Sequence, residues 1–220
     1  MDNLWTHHLK YYDFFQNNLD EYTETIKIHV KELKNCKNIL DTGSGSGNLT
    51  LQLLKSNHYV SAIDNNTPSL KILSKKCKKF NKRLKIYEMD VSKLEFQDGE
   101  FDGASSMFVI PFIKDIEKYF KEIFRVIKPH SKLTISTWSN ESTNELMKIV
   151  FEELTKKEIL PRHINEWNHI QKSTQVNAIS VKNAPNENQL INLLKDTGFK
   201  NIKTIKSPYG KFSYFIVCEK

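Results

Sequence analysis

Three of the chain's seven glycines fall in one short run, Asp41-Thr42-Gly43-Ser44-Gly45-Ser46-Gly47. Glycine there frees the backbone to take positive φ and lets a ligand approach the main chain closely. The run does not match two common phosphate-binding loops. A dinucleotide loop, GxGxxG, would need its third glycine at Asn48, and a P-loop would need Lys and then Ser or Thr after the last glycine, where Asn48 and Leu49 stand. Asp41 also opposes a pyrophosphate by charge and favours a ligand carrying a cationic amino group. Two further acids, Asp64 and Asp90, follow at the ends of the next two apolar runs. A carboxylate at the end of the second strand accepts hydrogen bonds from ribose hydroxyls, which leaves both NAD and S-adenosylmethionine (SAM) open. Any one of these aspartates reads equally well as a turn or helix cap. Three carboxylates after three successive strands, beside a glycine loop, form one ligand-binding edge.

That edge requires strands to carry it. Tyr22, Ile26, Val30 and Leu33 recur at helical spacing. Strands are predicted over 38–42, 59–64, 84–90, 101–108 and 132–138. Between them lie helices over 49–54, from Pro68 through Leu70, Leu73, Cys77 and Phe80, and from Ile116 to Ile127, which Lys128-Pro129 stops. The alternation implies a parallel sheet with helices on both faces. Residues 140–183 read as helix and irregular chain. A helix over 187–197 ends at Gly198, and strands over 201–206 and 211–219 are joined too closely to be anything but antiparallel.

With these motifs in place the chain resembles the class I SAM-dependent methyltransferases, of the UbiE-like methyltransferase-domain type. Ile39 to Gly47 is similar to their motif I, Asp64 to the motif II acid and Asp90-Val91 to motif III. Phe96 to Asp102 resembles the lead into motif IV, Arg125-Val126-Ile127-Lys128-Pro129 the segment before the fifth strand, and Thr197-Gly198-Phe199 the lead into the last hairpin. His130 stands where the family usually has glycine. The resemblance implies a Rossmann-like α/β fold: seven strands, mostly parallel, the last antiparallel, helices on both faces and a small helical cap. It implies that Asp41, Gly43, Ser44, Gly45 and Gly47 hold the methionine part of SAM, Asp64 and Asn65 the ribose, and Asp90 and Val91 the adenine. Ser106 and Met107 are expected on the floor near the sulfonium, and Tyr12 is expected to close over the cofactor. No metal is expected. The methyl of SAM is already activated, so positioning supplies most of the acceleration and no catalytic triad is needed. His7 and His8 are the candidates for a general base.

The acceptor is less legible. The chain has 220 residues and a net charge of +7, carried almost wholly by lysine, since arginine occurs only at 83, 125 and 162. Arginine is the better residue for bidentate contacts to phosphates and bases, so the charge reads as a solvated surface, as does the basic run from Lys75 to Lys85. The segment after the fourth strand, Ser105 to Phe112, lacks both the (Asp/Asn)-Pro-Pro-aromatic motif of DNA amino-methyltransferases and the cysteine of cytosine-C5 enzymes. Nucleic acid is therefore not the expected partner. The leading expectation is N- or O-methylation of a small molecule or peptide. The alternatives are an RNA or protein methyltransferase and a non-catalytic SAM-binding module. A single domain over 1–220 is expected, with the N-terminal helical segment 1–34 and the insertion 140–183 forming a lid. Their Trp5, His7, His8, Tyr11, Trp138, His163, Trp167 and His169 would line the acceptor pocket. Three isolated cysteines, no apolar run of the ~20 residues that span a bilayer and no secretory pattern over 1–15 point to a cytoplasmic protein.

Overall fold

A computed structural model describes residues 4–140, 143–168 and 184–220. Seven strands form one sheet in the order β3-β2-β1-β4-β5-β7-β6. They are β1 (Asn38–Thr42), β2 (Tyr59–Asp64), β3 (Leu84–Glu88), β4 (Phe101–Met107), β5 (Ile127–Trp138), β6 (Lys200–Ile205) and β7 (Ser213–Glu219). β3, β2, β1, β4 and β5 pair in parallel, and β7 runs antiparallel to both β5 and β6. The strand order turns at β1 and β4. Chain connections leave in opposite directions there, which opens a crevice at the carboxyl ends of the strands.

Helices cover both faces because the central strands are apolar on both sides. Ile39, Val60 and Ala62 pack under α2 (Asp20–Glu32), α3 (Asn48–Lys55) and α4 (Thr67–Lys76). Leu40, Ile63, Ala104, Leu133 and Ile135 pack under α5 (Ile116–Val126) and α7 (Glu187–Thr197). Local signals set the helix ends. Asn66 caps α4 by accepting from the Ser69 N–H, with Pro68 in the first turn. Asn186 and Gln189 form a reciprocal capping box on α7, and Gly198 ends it in the left-handed region. Of the helices at the N-terminus and after β5, α1 (Leu4–Gln16) brings Leu9 and Tyr12 to the crevice, and α6 (Thr143–Lys156) packs on the same core cluster. The Leu154 and Trp167 side chains join the core on that side.

Five strands differ from the expected bounds, β4, β6 and β7 by one or two residues at an end and β3 and β5 in ways that change the reading. β3 ends at Glu88, the residue opposite Asp64, so Asp90 lies beyond the strand. β5 begins at Ile127, with a register shift that absorbs residues 128–131. His130 takes φ +64° there, the conformation a glycine would favour, and its N–H bonds the Lys220 carbonyl. Among the described residues no helix is long and apolar enough to cross a membrane.

Candidate functional site

The crevice holds a cavity of about 310 Å³, walled by the loop after β1, the ends of β2 and β4, and α1 and α2. At its base the Asp41 carboxylate is buried, accepting from the Thr50 hydroxyl at 2.5 Å and the Ser105 hydroxyl at 2.8 Å. Burial pushes its pKa up to about 6. The two hydroxyls pull it down, and the charge on Asp64 adds to the rise. At neutral pH it is ionised. Asp64 is also raised by burial, held in check by the N–H groups of Asn66 and Gly45, each 2.8 Å away.

The glycines do different jobs. A Cβ on Gly43 would meet Val109 at 2.5 Å, and one on Gly47 would meet Leu73 at 2.5 Å, so both allow close packing of the loop. A Cβ on Gly45 would meet nothing within 4 Å, which leaves room for a ligand atom. Ser44 is tied to β2 through its N–H on the Ile63 carbonyl, and its hydroxyl oxygen is buried in the cavity wall without a partner among the described residues.

Asp41, Gly43, Ser44, Gly45, Asp64, Asn65, Val91, Met107 and Tyr12 all line the cavity. Gly47 does not; it precedes α3 as the N-cap, with φ +83°. Asp90 stands outside the lining, exposed in the loop after β3, and its carboxylate accepts from the N–H and hydroxyl of Ser92, which lower its pKa. Ser106 points away. Successive strand residues face opposite sides, so Ser105 and Met107 share the cavity face, while the Ser106 hydroxyl accepts from Tyr119 on α5. The side chains of His7 and His8 lie outside the described residues, as do those of Trp5 and His169. His163 sits against Phe14, ring centroids 4.7 Å apart, outside the cavity lining.

Other residues, Trp138 apart, were not singled out in advance. Asp13 pins α1 over the glycine loop: its carboxylate takes the Lys76 ammonium at 2.8 Å and the Ser46 hydroxyl at 2.6 Å. Lys76 also bonds Asn48, whose amide reaches the Tyr22 hydroxyl. Tyr12 beside Asp13 is thereby held in the wall, its phenol pushed up to about 12 by burial. Phe108 takes φ +57°, a conformation that costs a bulky side chain ~1–2 kcal/mol. Its ring stacks on Trp138 at 4.1 Å and lies parallel to Tyr22 at 6.2 Å, so Tyr22 and Phe108 line one end of the cavity and Trp138 backs Phe108 from outside the lining. In the sequence Tyr22 reads as part of a helix's apolar face and Phe108 as the end of the fourth strand. The abrupt end of the β4 pattern before Ile110-Pro111 was the available signal. Among the described residues no group of three or more His, Cys, Asp or Glu side chains could hold a metal ion.

Residues 14–218 match the ubiE/COQ5 methyltransferase family. The chain belongs to that family. As a ubiE/COQ5 methyltransferase it is an enzyme that uses SAM as methyl donor. It is 27% identical over 193 residues to a demethylmenaquinone methyltransferase of Lactobacillus johnsonii, covering 82% of this chain and 75% of that one. It is also 27% identical over 182 residues to a ubiquinone/menaquinone biosynthesis C-methyltransferase of Rickettsia bellii, covering 79% and 73%. Among solved structures, a SAM-dependent methyltransferase of Thermotoga maritima, described as a possible histamine N-methyltransferase, shares the fold with a TM-score of 0.65 at 16% identity over the whole of both chains. A phosphoethanolamine N-methyltransferase of Haemonchus contortus crystallised with SAM gives 0.61 at 17% identity, covering 84% of this chain and 48% of that one. The cavity of this ubiE/COQ5 member fits SAM in three respects: an ionised buried carboxylate suits the amino group, the Ser44 oxygen has no partner among the described residues, and the space beside the Gly45 Cα is open.

Proposed function

We propose that the enzyme methylates a ring carbon of a small hydroxylated aromatic acceptor of the quinol type. The observation that carries this reading is the aromatic end of the donor cavity, lined by Tyr22 and Phe108 with Trp138 stacked behind Phe108. A planar acceptor stacks against such a surface. Two curated relatives named for demethylmenaquinone and ubiquinone/menaquinone C-methylation support it, and they favour carbon over the N- or O-methylation expected from sequence.

SAM supplies a methyl group already activated on a sulfonium. The residues around it bind and orient. Asp41 and Ser44, with the main chain of Gly43 to Gly47, hold the methionine part, Asp64 and Asn65 the ribose, and Val91 the adenine with Asp90 at its edge. Met107 and Phe108 set the line along which the ring carbon approaches. A hydroxyl on the acceptor ring would donate electron density to the carbon beside it; the methyl would pass from sulfur to that carbon with S-adenosylhomocysteine as leaving group, and the ring proton would pass to water to restore aromaticity. The described cavity lining contains no histidine, lysine or arginine, and this chemistry needs no strong base. α6 docks on the junction of α1 and α2 through Glu153, which accepts from the Asp20 N–H, and Lys157, which pairs with Asp20. In this reading α1 and α6 serve as the lid that keeps water out.

The test is transfer of labelled methyl from SAM to 1,4-dihydroxynaphthalene, kept reduced, alongside a mixed peptide pool and bulk RNA. The expected product carries the methyl on ring carbon, located by NMR. Methyl found on oxygen, or transfer only to peptide or RNA, would overturn the proposal.

A further inference from the structure

Lys76, Asn48 and Tyr22 form a hydrogen-bonded chain in which every donor points the same way. The Lys76 ammonium, shared with Asp13 at 2.8 Å, donates to the Asn48 side-chain oxygen at 2.6 Å. Asn17 donates to that oxygen as well, at 3.1 Å, so two donors fix which end of the Asn48 amide is which. The amide nitrogen then faces Tyr22 and donates to its hydroxyl oxygen at 3.2 Å. Burial raises the Tyr22 pKa, and the neighbouring Tyr12, Asp13 and Asp41 add to the rise, so the phenol keeps its proton. Having accepted from Asn48, Tyr22 still has an O–H to give, and no acceptor for it stands among the described residues. Asn48 and Tyr22 both line the cavity.

A buried O–H without an acceptor is a standing cost. At the end of a chain that begins on a cation it is also a strengthened donor, and it suits an anion. SAM brings one. In the placement proposed above, on which this inference rests, the amino group of SAM goes to Asp41, and its α-carboxylate is borne on the same carbon. Asp41 is near enough to Tyr22 for its charge to act on the phenol. Little else in the cavity can take a carboxylate. The described lining has no lysine, arginine or histidine, and the loop's N–H groups at Ser44, Gly45 and Gly47 are spent on Ile63, Asp64 and Ser44. We infer that the Tyr22 hydroxyl donates to the α-carboxylate of SAM, which makes Tyr22 a specificity-determining residue that selects SAM and S-adenosylhomocysteine over their decarboxylated forms. The charge of Lys76 acts on that carboxylate through two neutral side chains, so the cation itself stays in the latch with Asp13.

The experiment measures binding, so it does not depend on turnover. S-adenosylhomocysteine and its decarboxylated form are titrated into wild type, Tyr22→Phe and Asp41→Asn, and all three proteins are melted without ligand. Wild type is expected to bind S-adenosylhomocysteine at least about tenfold more tightly than the decarboxylated form, the gain of a hydrogen bond to a charged group. Tyr22→Phe should lose that preference by weakening S-adenosylhomocysteine alone. It should melt close to wild type, because the ring keeps its place beside Phe108. Asp41→Asn should weaken both ligands, since both carry the amino group. If wild type binds the two alike, or Tyr22→Phe keeps the preference, the hydroxyl does not meet the carboxylate. Equal weakening of both ligands by Tyr22→Phe, or failure of that variant to fold, would show that the hydroxyl serves the shape of the site and overturn its role in selection. If Asp41→Asn leaves both affinities unchanged, the placement of the methionine part fails and takes this inference with it.

Discussion

Buried at the end of β1, the Asp41 carboxyl has lost its water and gained two hydroxyl donors, and the balance leaves it titrating at about 6 instead of 3.8. Between those values the folded chain holds a proton that the unfolded chain has released. Stability from the protonated form is thus full below about pH 4 and lost as pH rises through about 6. At pH 7 the ligand-free protein carries an ionised carboxylate in a dry site, a cost the cationic end of SAM would offset. Asp41→Asn should therefore melt higher than wild type at pH 7, with the advantage gone by pH 4, and bind SAM at least about tenfold more weakly. Wild-type affinity should itself fall about tenfold per pH unit below pH 6, because a proton must leave on binding. Thermal melts and calorimetric titrations from pH 5 to pH 8 check both. An affinity flat across that range would remove Asp41 from the donor site.

The loop after β1 and helix α1 make the site an assembly of elements. Gly45→Ala and Gly47→Ala share a left-handed φ, so each bears a strain of ~1 kcal/mol. Gly47→Ala also drives its Cβ onto Leu73 and should lose a further ~1–3 kcal/mol of stability through overpacking. Gly45→Ala meets only open cavity. It should lose only the ~1 kcal/mol of backbone strain but also lose SAM affinity, and denaturant melts with titrations will separate the two effects. The Asp13–Lys76 pair that pins α1 is largely buried, its side chains 16% and 19% exposed. Asp13→Asn should cost ~1–2 kcal/mol, speed amide exchange along α1 and weaken SAM binding, because Tyr12 moves with the helix. None of this latch was legible in the sequence, since its partners lie 63 residues apart and only folding brings them together. The strands over 38–42 and 59–64 were legible to the residue, because glycine and aspartate mark their ends and both faces are apolar. The third strand was read too long because residues 89–90 carry no pattern to show that the partner strand has ended. Ser106 was assigned to the floor from its place at the strand end, although the alternation with Asp41's partner Ser105 would have turned it toward α5. Tyr22 and Phe108 look like core residues because they are core residues; that one end of the core is also a binding wall depends on where the cavity opens.

At the scale of the whole molecule, the N-terminal helices are fastened to the sheet by a polar contact at the centre of an apolar interface. His29 on α2 is fully buried, one ring nitrogen 2.8 Å from the Thr134 hydroxyl and the other 3.0 Å from that of Ser136, its ring against Phe215. No acid is among these partners, and burial favours the neutral imidazole, in which one nitrogen donates and the other accepts. Burial accordingly lowers its pKa from 6.5 to about 3. The sign is opposite to that of Asp41. Between about pH 3 and 6.5 the unfolded chain holds the proton and the folded chain does not, so the stability His29 contributes is full above 6.5 and is lost as pH falls toward 3. Over pH 4 to 6 the two residues pull with equal slope in opposite directions, and wild-type stability alone would hide both. Difference curves reveal them. His29→Gln can still bond both hydroxyls but has no proton to gain. Relative to wild type it should be ~1–3 kcal/mol less stable at pH 7, through imperfect geometry in a tight interface, and the deficit should narrow steadily as pH falls from 6.5 to 4. A deficit unchanged across that range would mean that the folded protein protonates His29 as readily as the unfolded chain does. Water would then reach the interface between α2 and β5, and the lid elements would be hinged on the sheet at His29 instead of fastened there.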